Sequence, residues 1–353
     1  MKIVAQKREG NTAILEIEEE YQAFVRAYDQ ALVAAGKEIK LPGFRPGKAP
    51  KELIERSVNK DVVEGRAAQM LISELYPSVL DEAKLEPVDF PNVEIVQQKK
   101  NKPFIFKIIV DVYPEVKLGK YKGLSVEKKK VEVTETDVDR ILGSIQNRFA
   151  KKDKNGKPEL MPLNDDFAKK VSHFGTLAEL RAELEQALTR DRQAEADADM
   201  RNQLVARAVA ETKMDIPPAM IEREIDVMID EMRVSLARTG LSFDDYLKGI
   251  KKDEKTMRED FRKSADLRVR GKVILRAVAE AEKMKINEED MEAELKNLAG
   301  SSGEKLEEIR QRLKQEGRRY IEEYLLRQKA LDFLAEKAKI KEVKAEKQEE
   351  AKQ

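Results

Sequence analysis

Apolar and polar positions alternate along "KIVAQKREGNTAILEIE" on either side of the turn signal "REGN", which predicts a hairpin of strands at Lys2–Lys7 and Thr12–Glu18. The spacing then lengthens. Tyr21, Phe24, Val25, Tyr28 and Leu32 fall on one helical face, and Gly36 stands where that helix is expected to stop. A second helix is predicted from about Asp61 to Lys84, carrying Val62, Val63, Met70, Leu71, Leu75 and Val79. "NVEIVQQKKNKPFIFKIIVDV" returns to a strand pattern, with "KKNK" at its turn and a β-prone return strand over Phe104–Val112. Residues 1–112 therefore read as one α+β domain in which sheet and helices bury one face against each other.

Beyond it, Tyr113–Val133 is punctuated by proline and glycine, then charged, and reads as an extended linker. A short helix follows at about Glu135–Ala150, and "KKDKNGKPELMPLND" over Lys151–Asp165 reads as a loop and a junction. From Thr176 onward the period is helical. Thr176 and Glu179 have capping-box spacing, and no glycine or proline interrupts the chain up to Ile216, so a helix of arm length is expected. A further helix opens at Pro217 and Pro218, with Met220, Ile221, Ile225, Met228, Ile229 and Met232 on its apolar side and Gly240 at its end. More helices are predicted at Ser242–Lys251, Glu254–Met284, Asn287–Ala299, Glu304–Glu316 and Arg318–Lys337. The expected fold is thus an α+β N-terminal domain followed by an elongated all-α C-terminal domain with long helical arms. The all-α body is expected over 166–340, and 341–353, almost without apolar residues, reads as a disordered tail.

Composition narrows the chemistry. The chain has 353 residues, with 68 Lys and Arg against 68 Asp and Glu, so any charge-driven contact must be local. Charged residues make up 39% and aromatics 5%, which suits solvated helices better than an aromatic-filled enzyme core. With no cysteine, disulfides and thiolate chemistry are excluded. Neither a signal-peptide pattern nor a membrane-spanning apolar run is present, and the expectation is a soluble cytoplasmic protein without membrane or DNA partners.

One loop breaks the pattern. "KLPGFRPGKAPKELIERS", Lys40–Ser57, holds Pro42, Pro46 and Pro50 with Gly43 and Gly47, a combination that excludes both helix and central strand. Phe44 sits between these breakers, flanked by Arg45 and Lys48. From Lys37 to Lys60, seven cations face three glutamates, a basic patch hidden by overall neutrality. An apolar anchor in a cationic rim is the geometry of a small binding hot spot. On pattern alone, a connection that merely folds Phe44 back onto the domain is equally compatible.

"GFRPGKAP" resembles the ribosome-docking signature G-F-R-x-G-K-x-P of the trigger factor family of bacterial chaperones. The match runs through Gly43, Phe44, Arg45, Gly47, Lys48 and Pro50, and Pro46 occupies the variable position. "VYPEVKLGKYKGLSV", "MPLNDDFAKKVSHFGTLAELRAEL" and "DIPPAMIEREID" resemble later segments of the same family, so the likeness covers nearly the whole chain. The family's FKBP-type prolyl isomerase domain would lie near 150–160, where only "KKDKNGKPE" stands. The resemblance implies a ribosome-binding domain over 1–112, a linker over 113–165 without the isomerase, and a helical chaperone body. It also implies docking at the exit tunnel of the large ribosomal subunit through ribosomal protein and rRNA. Nascent or unfolded polypeptides would be the clients, with a homodimer off the ribosome and roles extending to protein transport and cell division.

Other signals are weaker. His173, the one histidine, reads as an ordinary surface residue, and no metal site, cofactor motif or catalytic set is expected. Asp165 with Asp166, Asp244 with Asp245 and Glu288 with Glu289 sit where helices begin, and capping explains them. Nine of eleven methionines lie from Met161 onward; most fill helix-pair cores in the simplest reading, while some suit an adaptable apolar surface. Met220, Ile221, Met228, Met232, Leu325 and Phe333 are the candidate client-binding positions. Two rivals are a prolyl isomerase pocket built in the helical region and a scaffold or holdase that never meets a ribosome.

Overall fold

The computed structural model describes residues 1–39, 42, 44, 50–152, 158–313 and 315–344. In chain order the elements are β1 (Lys2–Glu9), β2 (Thr12–Glu19), α1 (Tyr21–Glu38), α2 (Lys51–Ser57), α3 (Lys60–Ala83), β3 (Asn92–Gln97) and β4 (Phe104–Asp111). Then come β5 (Ser125–Lys130), α4 (Glu135–Arg148), the short pair β6 (Lys151–Lys152) and β7 (Pro158–Glu159), α5 (Asp165–Val171) and α6 (Leu177–Ala210). The remainder is α7 (Pro218–Arg238), α8 (Phe243–Ile250), α9 (Glu254–Ala281), α10 (Glu288–Ser302), α11 (Leu306–Arg312), α12 (Gln315–Glu336) and β8 (Lys339–Lys344). Two compact units result, one from Met1–Lys117 with Met214–Val273, the other from Leu118–Lys213 with the chain from Ile274 onward.

In the first unit, β1-β2-β4-β3 form an antiparallel sheet. Alternation puts Ala13, Leu15 and Ile17 of β2 and Phe104, Phe106, Ile108 and Val110 of β4 on one face, all nearly inaccessible beneath α1 and α3. Phe24 of α1 stacks on Phe104 at 5.2 Å, which continues the aromatic layer from sheet into helix. The predicted hairpins are present, and Gly10, at φ +61°, makes the first turn. Gly36 does not end α1. The helix continues to Glu38, and Gly36 is buried because a Cβ there would lie 2.5 Å from Ile54 Cδ1 of α2. The glycine serves helix packing rather than termination.

The same unit contains α7, α8 and α9 through Val273. Ile225, Ile229, Phe243, Leu247, Met257 and Ala265 form their core. Near the base of this group, Ile216, Val269 and Val273 pack with Tyr113 and Val116, and Asn11 Nδ2 donates to the Asp215 carbonyl at 2.8 Å.

In the second unit, α6 is a spine rather than a free arm: β5, α4, α5 and α12 all lie against it. It begins with the predicted capping box, Glu179 N–H donating to Thr176 Oγ1 at 3.2 Å and Thr176 N–H to Glu179 Oε2 at 3.1 Å. It ends at Ala210, short of Ile216, because another strand of chain blocks it. Gly119 lies so close that a Cβ on it would be 1.9 Å from the Glu211 carbonyl oxygen, and its N–H donates to Thr212 Oγ1 at 3.2 Å.

The strand β8 corrects the expected tail over its first residues. It pairs in parallel with β5, from Ser125 opposite Lys339 to Lys130 opposite Lys344, inside the segment expected to be an extended linker. Backbone pairing and anchoring of β5 to α6 supply what sparse apolar content does not. Gln203 of α6 accepts from Glu127 N–H at 3.1 Å and donates to its carbonyl at 2.9 Å, as a neighbouring strand would. Lys128 pairs with Asp197 at 2.5 Å and Lys129 with Asp199 at 3.3 Å. The rest of the expected tail, 345–353, lies outside the described residues.

The helix α4 is clamped to α6 by Asp137, whose carboxylate receives Arg192 at 2.8 and 2.9 Å and Thr134 N–H at 3.0 Å. The guanidinium, then the Thr134 donors, hold this carboxyl well below the ordinary carboxylate range. A depressed folded pKa stabilises fully above the ordinary Asp value of 3.8 and fades as pH falls from there toward the folded value. We expect Asp137→Asn to lower the melting temperature at neutral pH and to cost much less near pH 2, measured by circular dichroism. An equal deficit at both pH values is the contrary result.

Candidate functional site

The loop singled out in the sequence joins α1 to α2, and the described residues define how its ends are held. Tyr28 Oη donates to Glu55 Oε1 at 3.2 Å, and burial together with that carboxylate raises its pKa. Lys51 pairs with Asp29 of α1, and Glu38, the last residue of α1, pairs with Arg66 of α3 at 2.9 Å. Ile54 is 4% exposed against α1, and the Pro50 carbonyl caps α2 by accepting from Leu53 N–H at 3.0 Å and Ile54 N–H at 3.2 Å. A short helix without an acidic side-chain cap is thus held by packing against α1. Between these anchors Phe44 is 42% exposed instead of folded into the core. Pro42 and Pro50 are also exposed. Gly43, Arg45, Gly47 and Lys48 lie outside the described residues.

The candidate client positions have a different outcome. Met228 and Met232 pack half-buried against the core of α7, α8 and α9, Met220 against the cluster at its base, and Ile221 against both. Leu325 packs against Met291, Leu295, Ile309 and Ile321. Phe333 is half-buried between the ammonium groups of Lys122, 5.3 Å from its ring centre, and Lys337, at 5.8 Å. The helical stripe is real, but it mainly faces inward.

Of the apolar side chains that face solvent, Val25 and Val62 belong to the predicted apolar faces of their helices and are exposed instead, while others carry no periodic signal. On α7, Val227 and Val234 are exposed and line an open groove of about 450 Å³ with Asp230, Glu231, Ser235 and Arg238. Phe90, 88% exposed between Asp89 and Pro91, belongs to no element, so no helical or strand period marks it. In the second unit, Leu298, Ile309 and Leu313 line a groove of about 330 Å³ with Ser301, Ser302, Arg312 and Gly317.

Charge surrounds these apolar positions. Glu222 of α7 receives Arg258 at 2.9 Å and Arg262 at 2.6 Å from α9, and these hydrogen bonds lower its pKa. Glu224, 5% exposed, pairs with Lys272 of the same helix as those arginines, and Arg268 lies 3.8 Å away. His173 is exposed, its ring 4.1 Å from that of Phe174. Among the described residues, no group of three or more His, Asp or Glu side chains could hold a metal ion, and no helix is long and apolar enough to cross a membrane.

Comparison with known proteins matches residues 1–145 to the model of the bacterial trigger factor protein and residues 176–336 to that of its C-terminus. A trigger factor of Desulforamulus reducens is 30% identical, the alignment covering 97% of this chain and 99% of that one. One from Caldicellulosiruptor bescii is 29% identical over 96% of this chain and 97% of the relative, and one from Bacillus subtilis 28% identical over 95% and 100%. A solved structure, described as "Promiscuous Substrate Recognition in Folding and Assembly Activities of the Trigger Factor Chaperone", shares the fold with a TM-score of 0.55 at 18% identity, covering 95% of this chain and 99% of its own.

The close approach at Gly36 supports the presentation of the loop and can be tested. An alanine in a helix is favoured over glycine by up to about 1 kcal/mol, so Gly36→Ala would stabilise α1 if space allowed. We expect destabilisation instead, a melting temperature lowered by a few degrees, because Ile54 must move. Shortening the neighbour in Gly36→Ala/Ile54→Val is expected to recover part of the loss. A single variant more stable than the parent is the contrary result.

Proposed function

The chain belongs to the trigger factor family, and on that premise we propose that it is an ATP-independent chaperone that docks at the exit tunnel of the large ribosomal subunit and shields emerging polypeptide. The observation that carries the docking reading is Phe44, solvent-exposed on a loop whose ends are tied to α1 and α3. A phenylalanine kept out of the core is available to be buried elsewhere, worth about 1.5 to 3 kcal/mol on full desolvation. Arg45 and Lys48 add charge contacts to ribosomal protein or rRNA, and their share falls with salt. Gly43, Gly47 and Pro50 complete the signature. In this reading, residues 1–112 are the ribosome-binding domain and the helices of 166–340 the chaperone body.

Client binding follows from many small contacts. Exposed Val227, Val234 and Phe90 are separated by charged residues, so each offers a modest apolar area to an unfolded segment and none forms a deep pocket. Partial burial at each is worth about 1 kcal/mol, enough in sum to hold a chain and weak enough singly to release it. Met220, Ile221, Met228, Met232, Leu325 and Phe333 are half-buried packing residues of the helices, and we assign them a supporting role in client binding. Release follows client folding, which withdraws the apolar segments from reach.

The two family matches leave residues 146–175 between them, and α4, the β6–β7 pair and α5 lie in and around that interval. We infer that the chain acts without prolyl isomerase catalysis, as a cytoplasmic protein, with a homodimer off the ribosome.

Three measurements follow. Phe44→Ala/Arg45→Ala/Lys48→Ala is expected to lose co-sedimentation with large subunits at physiological salt while keeping its helical spectrum; undiminished pelleting refutes the docking reading. Val227→Asp/Val234→Asp is expected to weaken suppression of aggregation of an unrelated denatured protein at least twofold with an unchanged melting temperature. In proline-limited refolding, catalytic amounts of the protein are expected to leave the slow phase unaltered; acceleration restores the isomerase reading.

A further inference from the structure

The β3–β4 hairpin ends in "KKNK", a turn that docking through the Phe44 loop does not use. Lys102 N–H donates to the Lys99 carbonyl at 3.1 Å, and Asn101 has φ +59° at the third turn position, so the four residues form a tight turn of type II. Gln97 Nε2 donates to the Pro103 carbonyl at 3.0 Å and closes the neck. Lys99, Lys100 and Lys102 are all exposed on this rigid tip. Among the described residues none of their ammonium groups pairs with a carboxylate, although such pairs are common elsewhere on this surface. Three like charges on four residues lie within one Debye length and repel one another, a cost that an external polyanion reverses.

The tip lies at the docking end of the domain. Gln98 Nε2, immediately before the turn, donates to Glu64 Oε2 of α3 at 3.3 Å. Two residues further on the same helix, Arg66 holds Glu38, the last residue of α1 before the loop. The first two turns of α3 therefore tie the lysine turn to the root of the Phe44 loop. Lys37 and Arg56 are exposed nearby, and Lys60 pairs with Glu64 at 3.6 Å. The facing carboxylates are Glu64, Glu38 and Asp61, of which the first two are engaged.

We propose that Lys99, Lys100 and Lys102 are a second ribosome contact of this chain, one that grips ribosomal RNA phosphates beside the docking loop. The assignment rests on the docking reading above. Ribosomal RNA is favoured over an acidic protein because the four turn residues themselves offer only point charges and backbone, the exposed Ile95 and Val96 lying on β3 before the turn and not among the lysines. Ammonium groups displacing condensed counterions need no such anchor.

The test compares the parent chain, Lys99→Ala/Lys100→Ala/Lys102→Ala, the corresponding triple Lys→Arg variant and Phe44→Ala, binding to purified large subunits from about 50 to about 300 mM KCl. The triple alanine variant is expected to bind about tenfold more weakly near physiological salt, with a log affinity against log salt slope shallower by about 2 to 3; the arginine variant keeps both values. The same alanine variant is expected to lose affinity for protein-free RNA extracted from those subunits, whereas Phe44→Ala, which leaves every cation in place, keeps it. Unchanged affinity and slope in the alanine variant, while Phe44→Ala detaches, overturns the proposal and leaves docking standing. Weaker subunit binding with unaltered binding to protein-free RNA assigns the turn to an acidic protein surface and overturns it equally. If the parent chain does not bind subunits at all, the docking reading has failed, and the proposal falls with it. The lysines are exposed turn residues, and matching melting curves verify that all variants fold.

Discussion

Burial of one face of β4 sets the geometry of the N-terminal domain. Phe104, Phe106, Ile108 and Val110 are sealed between β2, β3, α1 and α3, and Phe24 extends the aromatic layer into α1. Because β4 is bonded on both edges, it can neither slip by one residue nor rotate without exposing that whole face. The helix α1 is fixed by this contact at one end and by α2 at the other. The loop after α1 and the hairpin turn before β4 are consequently extensions of a single rigid core.

Strong local periodicity was legible, and long-range contacts were not. The two hairpins, the first helices and the capping box at Thr176 follow from alternation, spacing and cap chemistry that neighbouring residues supply. Gly36 does not mark the end of α1, because its reason is the Ile54 side chain eighteen residues later, which no local pattern reports. The true end of α6 depends on Gly119, and the order in β8 depends on β5 and Gln203, partners far away in the chain. Of the site, the signature residues could be named from their motif, whereas the exposure of Phe44 needed the fold. Phe90 and the α7 valines carry no periodic signal that separates solvent-facing from core-facing apolar residues.

The density of charge has a functional corollary. Ion pairs such as Glu222 with Arg258 and Arg262 lie at helix seams, where they specify how α7 and α9 meet while adding modest stability. Surface built this way stays soluble even though apolar side chains remain open among the charges. A molecule that must carry sticky sites and not aggregate benefits from that interspersion.

The pairing of β5 with β8 also imposes an order of events on the protein's own synthesis. Residues Ser125–Lys130 emerge early, but their strand partner is encoded more than two hundred positions later, at Lys339–Lys344. The Gln203 amide, which bonds the other edge of β5 at Glu127, is available long before that. The sheet domain, whose strands all lie within the first 111 residues, can close while translation continues. A protein that attends the birth of other chains therefore has to wait, in its second unit, for a strand of its own that is read more than two hundred codons after that strand's partner.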